Sequence, residues 1–78
     1  MAQIRPESLL SEILGRASSN EVIVGLKGAA RLRGKLRAYD MHMNLVLDDA
    51  TSLEGDRVRK RYGLLFIRGD SVVFVVLA

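Results

Sequence analysis

The spacing of apolar residues near the start of the chain predicts a short amphipathic helix over residues 4–16. Four apolar side chains recur there at helical intervals: Leu9, Leu10, Ile13 and Leu14. Pro6 suits a first helical turn, and Gly15 is typical of a helix end. The polar residues 18–20 then break the pattern.

From Glu21 onward the pattern changes to a period of two, which is typical of β-strands. It predicts five antiparallel strands, in residues 21–26, 31–38, 45–47, 58–67 and 72–77. Asp48-Asp49 is expected to end the third strand, and residues 51–56 are expected to form a polar loop. Gly34 interrupts an apolar face, where glycine indicates a bulge, a bend or a close backbone approach. The fold class is therefore mostly β: one helix followed by a strongly bent five-stranded sheet or small barrel.

The last two strands are apolar on both faces, in contrast to a sheet with one solvated face. Leu64 to Ile67 and Val72 to Leu77 show no alternation. A chain of 78 residues has little interior with which to cover both sides, and exposed apolar edges favour pairing with another chain. The pattern predicts an oligomer that closes into a ring or continues as a filament. The alternative is that the helix alone covers the extra face.

Composition narrows the class of protein. The chain has the length of one domain, has no cysteine and carries a formal net charge of +3, with a sequence pI of 9.8. A disulfide framework and a thiolate metal site are excluded, and the charge permits a polyanionic partner without requiring one. No apolar run reaches the roughly 20 residues of a membrane span. Residues 1–6 lack a signal-peptide pattern, so a soluble cytoplasmic protein is expected.

Two groups of residues resemble motifs of a known family. The first runs from Val22 to Gly28 and then from Gly34 to Leu47, through Tyr39-Asp40-x-His42-Met43-Asn44, and is similar to the first Sm motif. The second, Leu65-Phe66-Ile67-Arg68-Gly69-Asp70, is similar to the second Sm motif. Taken as residues 21–50 and 58–77, the pair resembles the Sm-like (LSm) proteins, most nearly their archaeal members. Ala29-Ala30 departs from the pattern, because the family often has another glycine or a polar residue there.

The resemblance implies an assembly and a binding site. Family members have an N-terminal helix on a bent five-stranded barrel, and archaeal members form homo-oligomeric rings, usually of seven subunits. In these rings strand four of one subunit pairs with strand five of the next. The uridine site of the family corresponds to His42, Asn44, Arg68, Gly69 and Asp70 of this chain.

These residue types suit the recognition of single-stranded RNA. His42 and Arg68 offer flat groups that can stack on both faces of a base, and the Asn44 amide can pair with the edge of uracil. By the resemblance, Asp70 is expected to fix the Asn44 amide or its loop, and Gly69 to let the backbone bend tightly. The expected partner is U-rich single-stranded RNA, bound more tightly because a ring repeats the site.

Each residue also has a purely structural interpretation. A single histidine in a polar loop is commonly solvated, and Asp40 or Asn44 can simply cap the turn. Arg68 and Asp70 can form only an ion pair. Secondary candidates for RNA contact are Asp40, Tyr39, Arg5 and Arg16. Two basic tracts, within residues 31–37 and 57–61, are either solvated strand faces or paths for phosphates.

The leading hypothesis is a non-catalytic RNA-binding ring that acts as a scaffold or chaperone in RNA processing or turnover. The alternative is an oligomeric scaffold for protein assembly that binds little RNA. An enzyme is disfavoured because no nucleophile, base and carboxylate occur in a useful pattern. No cofactor or metal is expected, since His42 is the single histidine and has no clustered ligands around it.

Overall fold

In the computed structural model, which describes residues 6–16, 20–55 and 57–77, one helix precedes a six-stranded antiparallel sheet. The elements are α1 (Pro6–Arg16), β1 (Glu21–Leu26), β2 (Arg31–Tyr39), β3 (Leu45–Glu54), β4 (Arg57–Arg61), β5 (Leu65–Ile67), a 3-10 turn (Gly69–Ser71) and β6 (Val72–Leu77). Residues 4 and 5 of the predicted helix lie outside the described residues. No described helix is both long and apolar enough to cross a membrane.

The strand pairing shows that the sheet bends toward a barrel. Hydrogen-bonded neighbours run β4-β3-β2-β1-β6, and β5 pairs with β3 as well. The long β3 therefore has two partners on one edge: its first residues pair with β5, and its last residues pair with β4. One strand can serve both partners only if the chain turns between them. The predicted fold class, a helix followed by a strongly bent antiparallel sheet, is confirmed.

The predicted fourth strand is divided into β4 and β5. The chain leaves regular pairing at residues 62–64, yet it stays attached to β3, because Tyr62 N donates to the Ala50 carbonyl (2.7 Å) and Ala50 N donates to the Gly63 carbonyl (3.1 Å). The two elements are thus the two halves of one bent strand. The prediction of a continuous strand over residues 58–67 was wrong because the strand bends at Gly63, directly before the apolar residues 64–67, and a glycine inside a strand pattern is typical of such a bend.

The third strand is longer than predicted. Asp48-Asp49 does not end it, and residues 51–54, predicted as a loop, continue β3 and pair with β4. The register against β2 slips where Gly34 faces β3, and Asp49 has a φ of +50° there. Aspartate tolerates this left-handed conformation better than most residues. A β-bulge therefore carries the strand past two residues that resemble a turn.

Alternating apolar residues from the strands form the core, together with Leu10 of the helix. The buried residues are Leu10, Val22, Val24, Leu32, Leu36, Leu45, Leu47, Ala50 and Ile67. Gly34 lies among them, and a Cβ at Gly34 would approach the Asp48 carbonyl oxygen to 3.0 Å and the Ala50 Cα to 3.2 Å. The prediction that Gly34 marks a bulge or a close backbone approach is confirmed.

Large apolar side chains of β5 and β6 stay exposed. Phe66 of β5 is 61% exposed and Val73 of β6 is 62% exposed. The helix does not cover this surface, so the alternative that it buries the extra apolar face is wrong for the isolated subunit. Among the described residues, β5 pairs only with β3 and β6 only with β1. Each strand therefore presents an apolar edge with unpaired backbone groups, which is a template for pairing with another chain.

The β1–β2 hairpin contains a strained alanine. Gly28 and Ala29 both have positive φ (+83° and +67°), a combination that type I′ turns require. The left-handed conformation costs an L-residue roughly 1–2 kcal/mol. We expect Ala29→Gly to raise the free energy of unfolding by roughly 0.5–1 kcal/mol, after the greater freedom of glycine in the unfolded chain is subtracted.

Urea-induced unfolding followed by circular dichroism measures this gain. Ala38→Gly, in the extended backbone of β2, makes the same chemical change without relieving strain, and it is expected to lower stability. If the two substitutions have effects of the same sign, strain at Ala29 is not the cause.

Candidate nucleic-acid interface

Two polar loops meet because the strands that carry them are paired. Residues 40–44 join β2 to β3, and residues 68–71 join β5 to β6. Leu45, the first residue of β3, pairs with Ile67, the last residue of β5. Each loop therefore begins or ends one residue from the same strand pair, and the two loops lie side by side.

Asp40 organises the first loop. Its Oδ1 accepts hydrogen bonds from the backbone N–H of His42 (2.9 Å) and of Asn44 (3.0 Å), and its Oδ2 accepts from the Asn44 side-chain amide (2.9 Å). Met43 N also donates to the Asp40 carbonyl (3.1 Å), and Met43 has a φ of +63°. The prediction that Asp40 caps this turn is confirmed.

Asn44 joins the two loops. Its Oδ1 accepts a hydrogen bond from the backbone N–H of Gly69 at 2.6 Å, while its Nδ2 donates to Asp40. These partners fix the orientation of the amide, since Gly69 N can only donate and the carboxylate of Asp40 accepts. Asp70 was predicted to fix this amide or its loop, but Asp40 holds the amide, and the Asp70 carboxylate lies 3.3 Å from the Arg68 guanidinium.

Gly69 is required for close contact between the loops. A Cβ at this position would overlap the carbonyl oxygen of His42 and lie 2.8 Å from the Met43 carbonyl carbon. The backbone does bend tightly here, in the 3-10 turn in which Ser71 N donates to the Arg68 carbonyl (3.1 Å), but the φ of Gly69 is not positive, so the turn itself does not require glycine. The absence of a side chain instead lets the second loop lie directly on the backbone of the first.

The flat groups at this surface are accessible to solvent. His42 is exposed, and the side chains of Arg68 and Asp70 are 76% and 66% exposed. An ion pair with this exposure contributes roughly 0–1 kcal/mol, so Arg68 can exchange Asp70 for a ligand at little cost. His42 and Gly69 also line one end of a groove of about 420 Å³ between α1 and β6.

Of the secondary candidates, Asp40 lies within the first loop and caps it, and Tyr39 directly precedes that loop at the end of β2. Tyr39 is half-buried against the core, so packing accounts for part of its ring. Arg16 is the last residue of α1, but its side chain is not among those described. Arg5 lies outside the described residues. Within the described part of the chain, no three potential metal ligands lie together.

The Asp40 carboxylate makes the loop sensitive to acid. The hydrogen bond from the Asn44 side chain, with further backbone donors, lowers the pKa of Asp40 below its ordinary value of 3.8. A lowered pKa in the folded state means that the charged form stabilises the loop above the ordinary value, and that this contribution is lost as pH falls through the folded-state pKa.

We expect the Asn44 backbone amide to stay protected from hydrogen exchange at neutral pH and to lose protection as the pH falls below 3.8, the ordinary pKa of aspartate, and through the lowered pKa of Asp40. Exchange measured by NMR across this range tests the expectation. Asp40→Asn, which cannot ionise, is expected to remove the acid-dependent step, so an unchanged step in that variant would assign it to another group.

Comparison with known proteins agrees with this architecture. Residues 12–77 match the LSM domain family. An snRNP Sm-like protein of Methanosarcina barkeri is 52% identical over 64 residues, which cover 82% of this chain and 89% of the relative.

Solved structures give the same result. The Pyrococcus abyssi Sm protein, determined in complex with a uridine heptamer, has a TM-score of 0.78 and 37% identity, and the match covers 96% of this chain and 100% of that one. The SmAP1 heptamer of P. aerophilum has a TM-score of 0.76 and 32% identity, with 88% and 92% of the two chains covered. The resemblance drawn from the two sequence motifs is confirmed, and the chain belongs to the LSM domain family of Sm-like proteins.

Proposed function

We propose that this protein is a non-catalytic, ring-forming RNA-binding module that selects U-rich single-stranded RNA. The observation that carries the proposal is the hydrogen bond from Gly69 N to Asn44 Oδ1, which joins the two loops into one surface. The same surface carries the exposed His42 and Arg68 side chains. The P. abyssi Sm protein, which shares this fold, was solved with a uridine heptamer.

The proposed chemistry separates affinity from selectivity. Stacking of a base on the imidazole of His42 and the guanidinium of Arg68 contributes about 1–3 kcal/mol per base and accepts any base. Selectivity requires contact with the base edge. The Asn44 amide uses one N–H and one lone pair within the protein, so one donor and one acceptor remain for the uracil edge.

The proposed ring follows from the exposed edges of β5 and β6. Pairing β5 of one subunit with β6 of the next satisfies backbone groups that are unpaired within the described chain, and it buries Phe66 and Val73, which are exposed in the single subunit. The contact is heterologous and must close to avoid a filament. A seven-membered ring is proposed because the P. aerophilum relative is a heptamer. Such a ring would serve as a scaffold or chaperone in RNA processing or turnover.

Substitutions in the loops test the proposal. We expect His42→Ala and Arg68→Ala each to weaken binding of an oligouridine by about tenfold or more, since about 1.4 kcal/mol corresponds to a factor of ten. Fluorescence anisotropy measures the affinity, and size-exclusion chromatography checks that the assembly is intact. Arg37→Ala is the matched control, because it removes an exposed arginine from the face of β2.

Unchanged oligouridine binding in both loop variants, with the assembly intact, would contradict a base-binding site in these loops. The same result would favour a scaffold for protein assembly that binds little RNA.

A further inference from the structure

The protein has two basic strands, β2 and β4, which differ in how far other groups of the same subunit pair with their charges. On β2, each cationic side chain has a partner: Arg33 pairs with Glu21, Lys35 with Asp49 (3.8 Å) and Arg37 with Asp48 (3.7 Å), while Arg31 donates to the Gly55 carbonyl (2.7 Å). The partners lie on β1, on β3 and at the tip of the β3–β4 hairpin. The basic face of β2 is therefore accounted for by contacts within the subunit.

Within the described residues, the arginines of β4 have no such ion pairs. The sequence of β4 is Arg57-Val58-Arg59-Lys60-Arg61, and all five residues are exposed. Within the described part of the chain, the three arginines form no ion pair or hydrogen bond through their side chains, and Lys60 lies over the ring of Tyr62 at 5.3 Å. In the sheet Arg57 lies opposite Glu54, whereas Lys60 and Arg61 lie opposite the uncharged Ser52 and Thr51. The strand therefore carries a surplus of positive charge.

Charged residues on an edge strand also deter aggregation, but the position of these charges indicates more than that. The register between β3 and β4 shifts at Ser52/Leu53, where Lys60 faces Ser52 and Val58 faces Leu53. Arg59 is the additional residue of this bulge. Both Arg59 and Lys60 therefore border the same open groove, of about 920 Å³.

The groove connects β4 with the candidate interface. Four cationic residues line it, and they come from three parts of the fold: Arg31, Arg59, Lys60 and Arg68. Glu54 is the one carboxylate among the described lining residues, and the Tyr62 ring adds an aromatic surface. A positive surface thus extends from the β3–β4 hairpin to Arg68, which is part of the proposed uridine site.

We propose that β4 is a phosphate-binding track that holds the backbone of RNA flanking the uridines, independently of base sequence. The partner is RNA rather than an acidic protein because the track continues into the loops proposed to bind uridine. The identity of this ligand therefore rests on the proposed function. An RNA with bases in the loops can place its neighbouring phosphates on Arg59 and Lys60, which border the groove that leads to Arg68. The track raises the affinity for RNAs that are long enough to reach it, and the loops supply the selectivity for uridine.

Salt dependence of binding tests the track. The double variant Arg59→Gln/Lys60→Gln is compared with Lys35→Gln/Arg37→Gln, which removes the same charge from β2. The probes are labelled heptauridine and a longer RNA in which the same heptauridine is followed by adenosines. Each phosphate contact contributes about 0.7 to the slope of log K against log salt concentration for single strands.

For the longer RNA, we expect the β4 variant to reduce this slope by about 1.4 and the β2 variant to leave it unchanged. Heptauridine affinity and the preference for U over A are expected to survive in the β4 variant. Equal reductions of the slope in both variants overturn the proposed track. An unchanged slope in the β4 variant also overturns it, and leaves an acidic protein segment as the candidate partner of β4. If the double variant does not assemble, Arg59→Gln alone is expected to reduce the slope by about 0.7, and no reduction overturns the proposal.

The result is separable from the test of the uridine site. Loss of selectivity in His42→Ala concerns the loops, whereas the slope in the β4 variant concerns the track. A β4 variant with a reduced slope, in a protein whose loop variants bind normally, would retain the track and reject the uridine site.

Discussion

Phe66→Asp is expected to convert the assembled protein into monomers that keep their fold. Phe66 is 61% exposed in the single subunit and points away from the core that its neighbour Ile67 enters. Its replacement removes little packing within the subunit, and substitutions of this kind usually change stability by about 0.5 kcal/mol or less. In the proposed ring the same position lies at the junction of β5 with β6 of the next subunit, where burying an unpaired carboxylate costs several kcal/mol.

Sedimentation velocity gives the mass of the assembly, and far-ultraviolet circular dichroism shows whether the sheet is retained. Met41→Asp is the matched control, because Met41 is an apolar residue of similar exposure, at 49%, that lies outside β5 and β6. It is expected to leave the assembly intact. A Phe66→Asp protein that sediments as the original assembly would contradict subunit pairing through β5.

Gly69→Ala is expected to have the largest effect on the binding site. The added Cβ would overlap the His42 carbonyl oxygen, and both nearby groups are backbone, so no flexible side chain can move aside. The loops must separate, which breaks the hydrogen bond from Gly69 N to Asn44. We expect a loss of about 1–3 kcal/mol in the free energy of unfolding, as in other overpacked sites, and loss of U-selective binding.

Gly63→Ala is a control of the same chemistry. A Cβ at Gly63 meets nothing within 4 Å, so stability and RNA binding should change little. Urea-induced unfolding and anisotropy on the same preparations measure both quantities. If Gly69→Ala binds oligouridine with unchanged affinity and selectivity, the close contact between the loops is not needed for recognition.

The sequence predicted the two loops, but it did not predict the hydrogen bonds between them. The hydrogen bond from Gly69 N to Asn44 depends on the pairing of Leu45 with Ile67, which is a contact between distant parts of the chain. The spacing of Asp40, His42 and Asn44 did contain a usable signal, because an aspartate that precedes backbone N–H donors by two to four residues is typical of a side-chain-capped turn.

The strand boundaries show the same limit. Asp48-Asp49 resembles a turn when only local propensity is considered, yet in the fold their carboxylates face Arg37 and Lys35 of β2. The strand continues because its neighbour supplies the opposite charge and because a bulge accommodates Asp49. By contrast, the apolar character of β5 and β6 correctly predicted that these strands stay exposed in a single subunit, since burial depends on the total volume of the core.

Anisotropy of labelled oligo-U against oligo-A and oligo-C, at moderate and high salt, tests whether the joined loops read bases. The account predicts tight binding of oligo-U whose preference over the other two persists as salt rises, because stacking and edge contacts are screened less than phosphate attraction. Weak and equal binding of all three, lost at high salt, would contradict it and leave only attraction of phosphates to a basic surface.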